Sequence, residues 1–122
     1  MQAAPPSVEL LFRALADGTR VRILHLLLTG ELCVGDLVTI LEQPQPTASR
    51  HLAYLRRAGL VRVRKEGLWA FYSLAEAKDE LHERLLDCVR ASAHDFPRLA
   101  KDSAARRALK KAGGCCPKPR RS

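Results

Sequence analysis

The sequence predicts an α+β fold that is mostly helical, on the strength of three observations. Apolar residues recur at helical spacing in five segments before residue 94. The third segment is broken at Gln43 and Pro44, shortly before the fourth, because proline disfavours helix at its own position and the one before it. Alternation of period two, a glycine turn and an aromatic-rich stretch then predict a β-hairpin over residues 61–74. This order of elements is typical of a winged helix-turn-helix with a β-hairpin wing.

The first three helices follow from apolar spacing and one capping residue. The first helix is predicted by four apolar residues at i, i+3, i+4 and i+7, namely Val8, Leu11, Phe12 and Leu15. It should end near Ala16. Asp17 can cap the second helix, which runs to about Leu28, because its carboxylate can accept from free backbone N–H groups. A short third helix covers roughly residues 34–41, directly after Cys33.

The fourth helix, within residues 45–60, is the segment around which the chain is organised. Pro46 suits its first helical position and Gly59 the position just past its end. One stripe is apolar, and the opposite stripe carries hydrogen-bond donors without a carboxylate: Thr47, Arg50, His51, Tyr54 and Arg57. A face of donors suits a major groove flanked by phosphates. The alternative is an ordinary solvated helix face.

The hairpin that follows is basic on its outer side. Val61, Val63 and Phe71 are expected to cover the helices, with Trp69 as a further candidate. A basic hairpin after a helix-turn-helix can reach phosphates or a minor groove. The predicted DNA-contacting residues of the fourth helix and the wing are therefore Gln45, Thr47, Ser49, Arg50, His51, Tyr54, Arg57, Arg62, Arg64 and Lys65.

A longer helix over about residues 76–93 is predicted next, and Pro97 ends it. The face expected to be apolar contains Leu81, Leu85, Cys88 and Ser92. Because this face has little left to cover in its own chain, we expect dimerisation through the first and last helices. The predicted division is a winged-helix domain over residues 1–97 and a basic flexible tail over residues 98–122, at most weakly helical over 103–111.

Charge and composition limit the classes of function. The net charge of +8 equals the net charge of the tail alone, which contains nine Lys and Arg residues and one Asp. Such basic segments favour a polyanionic partner. With no apolar run of about 18 residues and no secretory leader, we expect a cytoplasmic protein without a membrane partner. No carboxylate pair, phosphate loop or nucleophile beside a base is present, so an enzyme is not expected.

Four segments, residues 15–24, 31–34, 45–52 and 67–74, resemble the ArsR/SmtB family over about residues 8–92. The resemblance implies a winged-helix bacterial repressor that loses DNA affinity on binding a metal or metalloid. It is closest to the arsenical-responsive branch, whose third helix opens with Glu-Leu-Cys-Val-Cys-Asp-Leu. Here Gly35 replaces the second cysteine. The family's zinc ligands on the last helix are also not matched, since Glu76, Lys78, Val89 and Ser92 stand at those positions.

The four cysteines are Cys33, Cys88, Cys115 and Cys116. Arsenic(III) and antimony(III) prefer thiolates. The hypothesis is that Cys33, Cys115 and Cys116 bind one such ion, the tail replacing the lost thiol, while Cys88 packs on the last helix. A two-thiolate site for methylarsenite remains open, as does an incidental cysteine pair on a disordered end.

These inferences predict a repressor that binds operator DNA as a homodimer, needs no cofactor for that binding, and is released by the metalloid. The alternatives are a thiol-redox-responsive or a zinc- or cadmium-responsive winged-helix repressor, or a winged-helix module that binds protein. The sequence leaves open whether the tail reaches Cys33 of its own subunit or of the partner.

Overall fold

Six helices and a three-stranded antiparallel sheet make up residues 7–114, the part of the chain that the structure, a computed structural model, describes. The elements in chain order are α1 Val8–Leu15, α2 Gly18–Leu27, β1 Leu32–Cys33, α3 Val34–Leu41, α4 Gln45–Arg57, β2 Val61–Glu66, β3 Trp69–Leu74, α5 Glu80–Ser92 and α6 Pro97–Lys111. The sheet order is β1-β3-β2. Within residues 7–114 no helix is both long and apolar enough to cross a bilayer. The predicted tail ligands Cys115 and Cys116 lie outside the described residues.

Local sequence signals set most of the helix starts. The Asp17 carboxylate accepts a hydrogen bond from the Arg20 N–H at 3.1 Å, so the predicted cap of α2 is confirmed. Ser7 caps α1 and Asp79 caps α5 in the same way. Helix α4 has no side-chain cap, and Pro44 stands at its N-cap position. Its first-turn N–H groups are therefore left for solvent or a ligand.

The core is formed around the helix-turn-helix of α3 and α4. Ala48, Leu52 and Leu55, the predicted apolar stripe of α4, are fully buried, as are Ile23 of α2 and Leu37 of α3. Truncating one of these large side chains to Ala typically costs about 2–5 kcal/mol of stability. The orientation of α4 is thus fixed by its buried face, which leaves the opposite face for contacts outside the fold.

The wing is the predicted hairpin with one additional strand. Strands β2 and β3 pair from Val61↔Leu74 to Glu66↔Trp69, and Gly67 at the turn has a φ of 61°. Val61 and Phe71 are buried as expected, whereas Trp69 is 40% exposed. Strand β1 was not predicted, because two residues are too few to show a period. It pairs with the far edge of β3 and thereby brings Cys33 into the sheet.

The last predicted helix differs from its expected position and face. Helix α5 begins at Glu80 rather than near residue 76, because Asp79 caps it. Its buried face consists of residues at i, i+3, i+4 and i+7, namely His82, Leu85, Leu86 and Val89. The predicted face included Leu85, with Leu86 and Val89 beside it, whereas His82 was not expected there. Cys88, expected to pack on this helix, is exposed in the single subunit.

The segment expected to be flexible from residue 98 contains the 15-residue helix α6. Leu99 and Asp102 of α6 are almost completely buried, and α6 packs against α2 and α3. The expectation of a flexible, at most weakly helical segment is therefore wrong for residues 98–111. The sequence concealed this helix because one of its two buried residues is a charged carboxylate, which breaks the apolar pattern that predicts amphipathic helices.

Candidate DNA interface and thiol site

The outer face of α4 keeps the donor-rich character that the sequence predicted. Gln45, Ser49, Arg50 and Arg57 are exposed, and Thr47 is half-buried. Within residues 7–114, Gln45, Ser49 and Arg50 make no side-chain hydrogen bond or ion pair. Side chains that are exposed and not engaged can donate to base edges and phosphates without first breaking internal contacts. These residues form the part of the predicted interface that the structure leaves most accessible.

His51 and Tyr54, also predicted to contact DNA, are half-buried against α2. His51 Nδ1 lies 3.3 Å from Arg20 Nη1 and 3.8 Å from the Asp17 carboxylate. The Arg20 guanidinium stacks over the Tyr54 ring at 4.1 Å. Arg20 also donates to the carbonyl oxygens of Arg13 and Ala14. These contacts give His51 and Tyr54 a positioning role, because they attach α4 to α2 through Arg20, which sequence reasoning had missed.

Arg64, one of the three predicted wing cations, is engaged within the protein. Its guanidinium pairs with Glu31 at 2.8 Å and Glu66 at 3.1 Å and lies 4.5 Å from the centre of the Phe71 ring. The hydrogen bond that Arg64 donates to Glu31, and then the one it donates to Glu66, raise the pKa of Arg64 above its ordinary value. Two carboxylates thus compensate its charge, so the prediction that Arg64 is free to bind phosphate is not supported by its contacts.

The other two wing cations remain accessible. Arg62 is exposed and donates a hydrogen bond to Ser73 Oγ at 3.3 Å. Lys65, next to the turn, is exposed and makes no side-chain hydrogen bond or ion pair within the described chain. Arg62 and Lys65 are thus the wing cations whose charges no carboxylate compensates within the described chain.

Cys33 occupies a position that belongs to two elements at once. It is the second residue of β1 and the N-cap of α3, where its Sγ accepts a hydrogen bond from the Asp36 N–H at 3.4 Å. The residue is 2% exposed. In the structure Cys33 is disulfide-bonded, whereas Cys88 is a free thiol. Once a cysteine is reduced, its thiolate is the form that binds soft ions.

The last described residue, Gly114, lies against the first turn of α3. A Cβ placed on Gly114 would be 3.0 Å from Asp36 Oδ2, and Gly114 has a φ of 71°. Gly113 before it also has a positive φ, of 101°. Glycine adopts such backbone without the penalty other residues pay, which allows the chain to turn towards α3 after α6 ends. The described chain thus ends beside the residue that hydrogen-bonds Cys33.

No three His, Cys, Asp or Glu side chains between residues 7 and 114 are placed to hold a metal ion. His82 is buried, its Nδ1 accepts from the Lys78 N–H, and burial lowers its pKa. Burial also lowers the pKa of His25. Within one subunit, a site that joins Cys33 to two further ligands of these kinds therefore needs residues outside 7–114. Of the predicted set Cys33, Cys115 and Cys116, the structure describes only the first.

The fold and the exposed face of α4 define a winged helix-turn-helix regulator, and comparison with known proteins specifies the family. Residues 17–63 match the bacterial regulatory protein family named for arsR. The uncharacterised HTH-type transcriptional regulator MJ1325 of Methanocaldococcus jannaschii is 42% identical over 78 residues, which are 63% of this chain and 88% of that protein. The chain belongs to the ArsR family, as its sequence predicted, and is a transcriptional regulator rather than an enzyme.

Two further relatives show how far the similarity extends. The arsenical resistance operon repressor of Escherichia coli K12 is 56% identical over 66 residues, 53% of this chain and 56% of that repressor. The chain thus spans little more than half of that relative. The solution structure of the homodimeric winged helix-turn-helix domain of Mb0332 from Mycobacterium bovis matches with a TM-score of 0.60 at 36% identity, covering 73% of this chain and 80% of that one. The predicted winged fold is confirmed.

Proposed function

We propose that this chain represses transcription by binding operator DNA as a homodimer, and that arsenic(III) or antimony(III) releases it by binding Cys33, Cys115 and Cys116. The observation that best supports the metalloid site is the contact between Gly114 and Asp36, because Asp36 hydrogen-bonds Cys33. The next two residues of the sequence are both cysteines. The relative from E. coli named as an arsenical resistance repressor supports the same choice of inducer.

A homodimer fits both the DNA and an exposed apolar surface. A single recognition helix reads few base pairs, whereas a dimer places two such helices about 34–36 Å apart, one turn of DNA. Helix α1 exposes Val8 and Phe12, whose exposed fractions are 56% and 52%. Their spacing of four residues places them on one side of α1, where a second subunit can cover them.

Release follows from the position of Cys33. Three thiolates must converge to bind one metalloid ion, and one of them caps the helix that immediately precedes α4. A change in the start of α3 alters the helix against which the recognition helix packs. Typical coupling free energies of about 1–3 kcal/mol would weaken operator binding several-fold to a hundredfold. By linkage, operator DNA must weaken metalloid binding by the same factor.

The test is arsenite-induced release of labelled operator DNA, followed by fluorescence anisotropy in a phosphine reductant that keeps thiols free. We expect Cys33→Ser to keep its operator affinity and lose the response to arsenite. Cys88→Ser is the matched control, because Cys88 is an exposed thiol, and we expect it to respond as the wild type does. X-ray absorption of the arsenic complex should show three As–S bonds. A normal arsenite response from Cys33→Ser would refute the proposal.

A thiol-redox response is the second candidate, and the observation that favours it is the disulfide of Cys33. In this case two thiols lose two protons and two electrons to an oxidant and form the disulfide, with no metalloid bound. Diamide, which is reduced to the hydrazine as it takes these up, supplies the oxidant in the assay. Release by diamide together with no release by arsenite under reductant would select this candidate. With methylarsenite in place of arsenite, the same assay tests a two-thiolate site.

A further inference from the structure

We infer that the tip of the wing is an apolar wedge, and that Leu68 inserts between base pairs in the minor groove of the operator and kinks the DNA. The inference rests on the proposed function and adds to it a wing residue that shapes the DNA instead of neutralising its phosphates. Four features of the hairpin support it: the exposure of Leu68, the geometry of the turn, the rigidity of the wing and the charges beside the tip.

Leu68 is the most exposed large apolar side chain of the described residues. It is completely exposed, whereas the other exposed large apolar residues, Val8, Phe12 and Trp69, are each partly covered. Turns of this kind ordinarily carry Gly, Asn, Asp or Ser, which suit solvent and the turn backbone. Since Trp69 follows directly in the sequence, the hairpin ends in two adjacent apolar side chains. Their apolar surface stays in water until a partner covers it, which favours such a partner.

The geometry of the turn places Leu68 at the very end of the hairpin. Strands β2 and β3 stay paired up to Glu66↔Trp69, so the loop consists of Gly67 and Leu68 alone. Gly67 has a φ of 61° and the φ of Leu68 is negative, which is the pattern of a type II′ turn. Such a turn continues the twist of its strands and keeps the hairpin narrow to its tip. A single leucine side chain projecting from that tip fits a minor groove about 6 Å wide.

The wing is braced so that its tip keeps a fixed position. Six residue pairs join β2 to β3. Arg64 lies over the Phe71 ring and pairs with Glu66 of its own strand. It also pairs with Glu31, which directly precedes β1, and this ion pair attaches the wing to the rest of the fold. A side chain presented by an element that is already ordered loses less entropy on insertion. The Arg64 contacts therefore position Leu68, although they compensate the charge of Arg64 itself.

The charges near the tip favour DNA over a protein surface as the partner. Lys65 and Arg62 are exposed, and the Glu66 carboxylate beside the turn is paired with Arg64. Proteins that bind the minor groove combine such cations with an inserted apolar side chain, leucine among them. The wing also belongs to the same winged helix-turn-helix as α4, whose donor-rich face suits the major groove. Helix α4 and the wing can therefore contact adjacent grooves of one duplex.

Insertion of Leu68 gives the wing a means of selecting sequence without hydrogen bonds to bases. Covering the leucine removes its apolar surface from water, which favours insertion, whereas unstacking a base step opposes it. The opposing cost is lowest at pyrimidine–purine steps such as TA and CA, which kink easily. We therefore expect each half-site to carry such a step where the wing enters the minor groove.

The test measures DNA bending and base stacking on the duplex that the wild-type protein selects from a random pool. Gel mobility of circularly permuted duplexes reports the bend, and 2-aminopurine in place of single adenines reports unstacking. The wild type should kink the duplex by at least about 20° and raise 2-aminopurine fluorescence at one step per half-site. Leu68→Asn should lose both signals and bind about tenfold more weakly. Its salt dependence should be unchanged, because leucine neutralises no phosphate.

Two control variants separate the wedge from other effects. Leu68→Met keeps an apolar side chain of similar volume and should retain the kink. Lys65→Ala should keep the kink and reduce the slope of log affinity against log salt concentration by about one. Because Leu68 is completely exposed, its substitutions should leave the fold intact, which circular dichroism checks.

The outcomes distinguish the inference from the proposed function. Equal bending and equal 2-aminopurine fluorescence with the wild type and Leu68→Asn would overturn the wedge, because the apolar tip would then have a partner other than DNA. Loss of the kink in Leu68→Met as well as in Leu68→Asn would also overturn it, because an apolar side chain would not be what inserts. Failure of the wild type to select any duplex would instead refute the proposed function itself.

Discussion

Replacing Asp102 by alanine should destabilise the fold far more than its place near the end of the chain suggests. The substitution removes three hydrogen bonds and leaves the Arg22 guanidinium buried, with the Leu41 carbonyl oxygen as its remaining acceptor at 3.4 Å. Breaking a buried ion pair in this way costs about 3–5 kcal/mol. Since small domains have about 5–15 kcal/mol of stability in total, the loss is a large fraction of it.

The assay is urea unfolding followed by circular dichroism, with thermal unfolding beside it. A loss of this size corresponds to a decrease in Tm of about 15–25 °C for a domain of roughly 100 residues. The control is the double variant Arg22→Met with Asp102→Leu, which removes both charges and fills the space with apolar atoms. Such replacements are often neutral, so the double variant should be more stable than Asp102→Ala. A loss of under about 1 kcal/mol in the single variant would refute the reasoning, because exposed pairs cost that little.

Three further predictions concern DNA binding and pH. Arg50→Ala should lose about 1–3 kcal/mol of preference for operator over scrambled DNA. Lys65→Ala should instead weaken binding to both DNAs and reduce the slope of log affinity against log salt concentration by about one. Competition titrations at several salt concentrations distinguish the two effects, and the reverse pattern would exchange the roles of the two residues. Arg20→Ala should lower operator affinity, because it removes the stacking on Tyr54 and the contact with His51 that attach α4 to α2. Unchanged affinity would contradict the positioning role. Burial lowers the pKa of His82 below its unfolded value, so stability should fall as the pH drops below about 6.5. In His82→Gln, Tm should depend less on pH between about 7.5 and 5.5 than in the wild type. An equally steep dependence would contradict this role of His82.

The parts of the fold that sequence reasoning predicted are those encoded locally. The stripe of Ala48, Leu52 and Leu55, the Asp17 cap and the bounds of α3 each depend on residues within a few positions of one another. The missed features depend on partners far apart in the chain. Asp102 pairs with Arg22, 80 residues away, and Arg64 pairs with Glu31, 33 residues away. Spacing along the sequence carries no signal of such pairs.

The same limit applies to the candidate site. The exposed donors of α4 were predicted correctly as a face, because helical periodicity determines which side chains share it. The periodicity could not show that His51 and Tyr54 lie at the edge of this face, beneath Arg20. The sequence also suggested the thiol Cys33 by its place before α3, but the approach of Gly114 depends on α6, which was expected to be flexible.

Cys33 is both the last residue of β1 and the N-cap of α3, which has a consequence for how the protein would release its operator. Strand β1 pairs with β3 through Cys33↔Phe71, and Phe71 in turn pairs with Arg64 of the wing. A displacement of Cys33 is therefore transmitted to α4 through α3 and to the wing through the sheet. Under the proposed function, the major-groove and minor-groove contacts would be lost together in each dimer. Intermediate arsenite concentrations should then give a mixture of fully bound and fully released operators, which single-molecule occupancy measurements can resolve.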